Sequence, residues 1–377
     1  MKIILAFDSY KGCLSAADVC AAAREGVLSV CPDAEVVSVP LSDGGEGLVE
    51  CFLRLGKASP VQAKVHGPLM EEVVATYAIS EDGQTAWMEM ASACGLTLVP
   101  LERRDVMTAT TYGLGEMMLD ALKRGVRHIV LGIGGSATCD GGQGMLLALG
   151  MLKSTDEVLP QPLCRHRRHR FTDIVDIDQP TSTMSILTVA CDVDNPLYGE
   201  SGAAYVFAPQ KGATAEQVKL LDERLRAFAK ETEDKGIATP EDAFHPGAGA
   251  AGGLGYALLT YLGAALKPGI EVVMEASGFD KALEGADVVV TGEGCSDEQT
   301  THGKVAAGVL QKAKERGVKT VLMSGQVKDR EALRTFGFDR LFATNEGDER
   351  PLDVLMQADV AKENIRRTCR RMMEEGL

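Results

Sequence analysis

The chain opens on an apolar run at 3–7, long enough for one short buried strand, and Asp8 ends it. Ser15 then stands three residues ahead of Asp18, a helix-start pattern. Val19, Ala23, Val27 and Val30 follow at helical spacing. A short β-branched run at 36–39 gives way to a polar glycine loop at 42–47. Strand, helix, strand and loop in that order predict a parallel βαβ unit. Between about 60 and 100 the pattern changes to short runs at 61–65, 73–79 and 85–90, separated by Gly67-Pro68 and Asp82-Gly83. Such turn signals predict antiparallel hairpins.

A helix over 110–123 and a buried strand over 128–133 restore the α/β order. Further helices are predicted at 215–229, amphipathic, and at 254–266, almost wholly apolar and therefore buried. The last stretch alternates again: a strand at 287–290, a helix at 302–316 closed by Gly317, a strand at 320–323 and a final helix at 359–373. The simplest architecture is a doubly wound α/β domain with a parallel sheet, assembled from 1–59, 108–150 and 281–377. The pieces 60–107 and 151–280 would form an inserted domain with a mixed sheet. A cleft between two such domains is the default expectation for a small-molecule site.

The formal net charge of −15 narrows the partners. A surface that acidic repels nucleic acid and anionic lipid over most of its area. The basic cluster of Arg165, His166, Arg167, Arg168, His169 and Arg170 reads first as a solvated loop. Ten cysteines are scattered with no CxxC, which argues against structural zinc and suits free thiols in a reducing compartment. No run of about 18 apolar residues is present, and the opening lacks a signal peptide's apolar stretch. A cytoplasmic protein is expected, with monomer and homodimer both open.

The strongest local signal is the glycine-rich stretch 132–145, Gly-Ile-Gly-Gly-Ser-Ala-Thr-Cys-Asp-Gly-Gly-Gln-Gly-Met. Glycines let backbone N–H groups crowd an anion, and a helix N-terminus adds its positive end. Gly134, Gly135, Gly141 and Gly142 supply the backbone, Ser136 and Thr138 hydroxyls, and Asp140 a carboxylate for Mg²⁺ or a ribose. A second glycine loop at 247–252 includes Gly249 and Gly252. Residues 132–137 fit the dinucleotide fingerprint as GxGxxA and 247–252 as GxGxxG, but the second follows His245-Pro246 instead of a strand, and the Walker pattern is absent.

Carboxylates recur just past strand-like runs: Asp8, Asp43, Asp192 and Glu293. In open α/β sheets ligands lie outside the carboxyl ends of strands. Phosphoryl transfer gives that combination a purpose, since it needs oxygen ligands for Mg²⁺, cations around phosphates and a carboxylate for the attacking hydroxyl's proton. Lys11, Lys211 and Lys304, each beside a glycine, are the candidate cations. A loop at 291–304 also packs Glu293, Asp297, Gln299, His302 and Lys304 ahead of a helix.

At these motifs the chain resembles the bacterial glycerate kinase family. The shared stretches are Asp8-Ser-Tyr-Lys-Gly12, Asp43-Gly-Gly-Glu-Gly47, Thr110-Thr-Tyr-Gly113, 132–145, 191–197, Pro209-Gln-Lys-Gly-Ala213, 247–255 and 291–304. The resemblance covers nearly the whole chain. It implies two α/β domains, one flavodoxin-like, with the site in the cleft, and it implies ATP with Mg²⁺, D-glycerate as acceptor and 2-phosphoglycerate as product. The chain departs from the family's pattern at Phe7, Cys139 and 295–298, where Cys295 replaces a usual arginine.

On that resemblance, nucleotide phosphates are expected on 134–142 and on Gly249 and Gly252. Glycerate is expected near Asp8, Ser9, Lys11, Asp43, His302 and Lys304. Asp192 or Asp43 would take the hydroxyl proton, with Glu293 and Asp297 as magnesium ligands. Two rivals remain. A non-catalytic binder of nucleotide or glycerate is raised by Cys295, and a nicotinamide-dependent dehydrogenase by the fingerprint fragments.

Overall fold

In the computed structural model, residues 1–42, 47–152, 186–301 and 305–376 are described. Two strands open the chain, β1 (Lys2–Phe7) and β2 (Glu35–Ser38). The middle supplies β3 (Ala58–His66), β4 (Glu72–Ser80), β5 (Thr85–Glu89), β6 (His128–Gly132), β7 (Ile186–Ala190) and β8 (Ala265–Lys267). The end adds β9 (Val288–Gly292), β10 (Cys295–Ser296), β11 (Lys319–Ser324), β12 (Gln326–Val327) and β13 (Arg340–Ala343). Two compact units result, Met1–Asp43 with Ile270–Leu377, and Gly44–Gly269.

The first unit carries an all-parallel sheet in the order β13-β11-β9-β1-β2. Counting only the strands of this sheet, the order is 2-1-3-4-5, the flavodoxin-like arrangement, and it reverses between β1 and β9. Helices cover both faces, as an all-parallel sheet requires. On one face Ile3, Leu5 and Phe7 bury against Val19 and Val27 of the helix Ala16–Val30 and Ile365 and Met372 of the helix Ala358–Glu374. Each such side chain contributes about 1.5–3 kcal/mol by leaving water. Gly26 lets the two helices meet, because a Cβ there would lie 2.7 Å from the Arg366 carbonyl oxygen. On the other face Leu322 of β11 packs with Ala306, Leu310, Leu333 and Phe338. The predicted cap is present, with Ser15 Oγ accepting from the Asp18 N–H at 3.2 Å.

The second unit carries a mixed sheet in the order β3-β4-β5-β6-β7-β8. The pairs β3/β4 and β4/β5 are antiparallel hairpins, as the turn signals require, whereas β5 through β8 run parallel. This corrects the expected division of the chain. The stretch 108–150 belongs to this unit, because β6 pairs with β5 on one side and β7 on the other. Residues 47–59 belong here too, while 270–280 join the first unit. The apolar segment expected as one helix over 254–266 divides: the helix Ala250–Leu262 stops at Gly263, which is left-handed at φ 62°, and the remainder pairs with β7 as β8. Among the described residues no helix is long and apolar enough to cross a membrane.

Candidate functional site

Each unit holds a pocket at the carboxyl ends of its parallel strands. In the second unit the loop after β6 is built around Asp140. Its Oδ2 accepts from the Thr111 N–H at 2.8 Å, the Thr111 hydroxyl at 2.8 Å and the Gly144 N–H at 3.2 Å. Its Oδ1 accepts from the Gly142 N–H at 3.0 Å. Both oxygens therefore have protein partners. Asp140 clamps the loop to the start of the helix Tyr112–Lys123.

Several expected phosphate glycines are packing glycines instead. Gly141, Gly142, Gly249 and Gly252 are all buried. A Cβ on Gly252 would sit 2.1 Å from the Thr138 carbonyl oxygen, and one on Gly249 would sit 2.2 Å from that of Pro196. Gly141 donates its N–H to the Gly252 carbonyl at 3.0 Å, so the 247–253 loop braces the 138–142 loop from below. Thr138 is fully buried too. These residues pack the loop that borders the open part of the site.

What stays open is Gly134, Gly135 and Ser136, lining a pocket of about 350 Å³ with Asp192, Lys211 and Ala251. Lys211 decides its character. It is 3% exposed, and its Nζ donates to Ser136 Oγ at 2.6 Å and to the Thr138 carbonyl at 2.7 Å. Burial pushes its ammonium down to about 8, against the opposing pull of Cys139 and Asp140. A lysine kept this dry, with two of three donors on neutral oxygens, is a positive centre that an anion would complete. Asp192 is exposed, and its Oδ1 accepts from the Gly269 N–H at 2.8 Å.

In the first unit, Asp8, Ser9, Lys11 and Glu293 line a pocket of about 490 Å³. Asp8 is 7% exposed; its Oδ1 accepts the Ser9 N–H at 2.6 Å while its own N–H donates to the Gly292 carbonyl at 3.0 Å. Glu293 Oε1 accepts from Thr300 Oγ1 at 2.6 Å and Ser296 Oγ at 3.3 Å. Asp297 accepts the Gln299 N–H at 2.9 Å, shaping the turn Glu298–Thr301, and does not line the pocket. Asp43, His302 and Lys304 lie outside the described residues. Among the described residues no cluster of three or more His, Cys, Asp or Glu could hold a metal ion on protein ligands alone. Magnesium carried on a nucleotide needs only one or two carboxylates besides phosphates and water, and Glu293 and Asp8 on one pocket wall fit that lesser demand.

The sequence left Lys211 equal to Lys11 and Lys304; only its burial separates it. It gave no chemical signal for the apolar pocket wall at Leu352, Leu355 and Met356.

The sequence matches the family model described as the glycerate kinase family over residues 3–375. The chain belongs to the glycerate kinase family. It is 42% identical to the glycerate kinase of Bacillus cereus (strain ATCC 10987 / NRS 248) over 98% of this chain and 96% of that one. It is 41% identical to the glycerate 2-kinase of Escherichia coli (strain K12), covering 91% and 90%. A crystal structure of a presumed glycerate kinase 2 from Salmonella typhimurium LT2 superposes with a TM-score of 0.82 at 38% identity, covering 100% of this chain and 98% of that one. The flavodoxin-like sheet and the mixed sheet described above are thus those of a glycerate kinase family member.

Proposed function

We propose that the protein transfers the γ-phosphoryl group of ATP to D-glycerate and yields 2-phosphoglycerate. The observation that carries this reading, beyond family membership, is the buried Lys211 beside the open backbone of Gly134 and Gly135. A dry cation with backbone around it stabilises the charge on transferring phosphoryl oxygens, which is the main demand of this chemistry. Asp192, on the rim of the same pocket, is the carboxylate that takes or orients the acceptor hydroxyl's proton. Glu293 and Asp8 serve the magnesium that accompanies ATP. When bound, that ion neutralises phosphate charge. Nine cysteines are free among the described residues, which supports a reducing, cytoplasmic setting.

The test is ATP consumption with Mg²⁺ and D-glycerate, with the product identified by phosphorus NMR. A 2-phosphoglycerate signal is expected. Tight ATP binding without turnover would favour a non-catalytic binder and direct attention to Cys295, which lines the larger pocket. Asp192→Asn should cut turnover by about two orders of magnitude, the usual scale for acid–base catalysis, with nucleotide affinity little changed. Equal loss of both would remove Asp192 from that role.

A further inference from the structure

The larger pocket sits where the parallel sheet of the first unit reverses its order. Asp8 leaves β1, Glu293 leaves β9, Gly325 leaves β11 and Thr344 leaves β13, all at carboxyl ends, and all four line it. A switch point between β1 and β9 is the default ligand crevice of such a sheet.

Its wall is the second observation. Leu352 is 57% exposed and Met356 39% exposed, and together with Leu355 and Tyr10 they present an apolar face to the cavity. Tyr10 is fixed there, its hydroxyl donating to the Met323 carbonyl at 3.2 Å. Glycerate was the sequence-based expectation for this neighbourhood. Every carbon of that acid carries oxygen, so a leucine–methionine wall offers it nothing, and a cavity of about 490 Å³ is several times too large for it. A nucleoside has the complementary character: a flat ring with apolar faces, polar edges and a sugar bearing two hydroxyls. Gln326, Thr344 and Asn345 stand on the wall as hydrogen-bonding groups for ring edges, and Lys11 supplies positive charge for phosphate.

We propose that this pocket takes the adenosine part of the nucleotide, with the ring against Leu352 and Met356. The proposal rests on the kinase reading for the identity of the nucleotide. It moves the base away from the glycine-rich loop of the other unit, whose glycines are mostly spent on packing.

The direct test is photolabelling of the full chain with an azidoadenosine triphosphate probe, followed by peptide mapping. Label competed by ATP is expected in peptides spanning 325–328 or 344–356. Label in 132–145 or 247–256 would overturn the proposal. A second measurement uses Leu352→Gln, which adds no charge beside Lys11, at a position exposed enough to leave folding intact. ADP affinity by calorimetry should fall about tenfold, a loss of about 1.4 kcal/mol, with tripolyphosphate affinity unchanged. Equal weakening of both ligands, or of neither, would overturn it. The kinase reading fails separately: if the wild type labels in 344–356 but makes no phosphoglycerate, the pocket assignment stands and the activity does not.

Discussion

The two pockets occupy equivalent places on two different sheets, yet they handle polarity in opposite ways. In the second unit the charges are drawn into the protein: Lys211 is buried and Asp140 accepts from Thr111, Gly142 and Gly144. The backbone at Gly134 and Gly135 and the exposed Asp192, Val193 and Gln210 line the opening. In the first unit the apolar side chains are the exposed ones, with Leu352 and Met356 open to the cavity beside Asp8 and Glu293. A site that must stabilise charge at a fixed point needs a preorganised, dry cation. A site that must hold a large, partly apolar ligand needs area more than charge. The strand-end rule thus locates both pockets, while the burial of particular side chains tells them apart.

Replacing the cation is the strongest way to break that contrast. Lys211→Met keeps the stem's volume and removes the charge, so activity should fall by roughly a hundred- to a thousandfold, the scale of losing one preorganised electrostatic group. Stability should hold or rise, because a dehydrated ammonium is costly to bury and methionine is not. Steady-state kinetics and urea unfolding on the same preparation read both quantities. If stability collapsed while specific activity of the folded fraction stayed normal, Lys211 would be a structural tie between Ser136 and Thr138 and nothing more.

Removing the clamp should have the opposite signature. Asp140→Ala strips acceptors from the backbone N–H groups of Thr111, Gly142 and Gly144 at once. Hydrogen bonds to a charged partner contribute about 1.5–3 kcal/mol each and do not add fully, so a loss of about 4 kcal/mol is expected. Asp140→Asn should recover part of it. A variant that kept its unfolding midpoint but lost magnesium-dependent nucleotide binding would give Asp140 a ligand role in place of the clamp.

Much of the fold could be read from periodicity, and the exceptions have physical causes. The 3–7, 36–39, 287–290 and 320–323 runs gave the parallel core of the first unit because a strand buried on both faces reads as an unbroken apolar run. The run 128–133 reads the same way, so nothing local reveals that β6 pairs with β5 and β7 instead of entering the flavodoxin-like sheet. Sheet membership is a long-range fact. Glycines carry a similar ambiguity. Gly135 and Gly252 look alike in sequence, but Gly135 is exposed while Gly252 is wedged against Thr138. A glycine needed for close packing and one needed for an open amide are distinguished only by the neighbour, which lies more than a hundred residues away in this chain.

The charge on Lys211 also makes a pH prediction. Its folded value of about 8 lies below the ordinary 10.5, so between these pH values the unfolded chain binds more protons than the folded one. The penalty for burying the charged form is fully present below about pH 8 and is relieved as pH rises toward 10.5. Its contribution to stability should therefore increase by about 3 kcal/mol across that window. The difference in unfolding free energy between wild type and Lys211→Met, measured from pH 7.5 to about 10, isolates this group. A bound phosphate favours the charged form, so tripolyphosphate binding near pH 8.5 should take up protons. Calorimetry in buffers of differing ionisation enthalpy reads that uptake, and its absence would mean the anion lies elsewhere.

The smallest effect probes the backbone beneath the same pocket. Ala251 lies at φ 52° and begins a left-handed run with Gly252 and Gly253 at the start of the helix Ala250–Leu262. A side chain in that region costs about 1 kcal/mol relative to glycine, and the loop maintains it at a residue lining the pocket. Ala251→Gly should relieve the strain and, since glycine also loosens the unfolded chain, raise stability by no more than about 1 kcal/mol. If the methyl group narrows the pocket around the reacting ligand, the same variant should raise KM for the acceptor severalfold while leaving adenosine affinity untouched, as the proposed base site in the other unit's pocket requires. A change in affinity for adenosine itself, which has no phosphate to meet Lys211, would place the base beside Ala251, and the division of labour between the two pockets would have to be reversed.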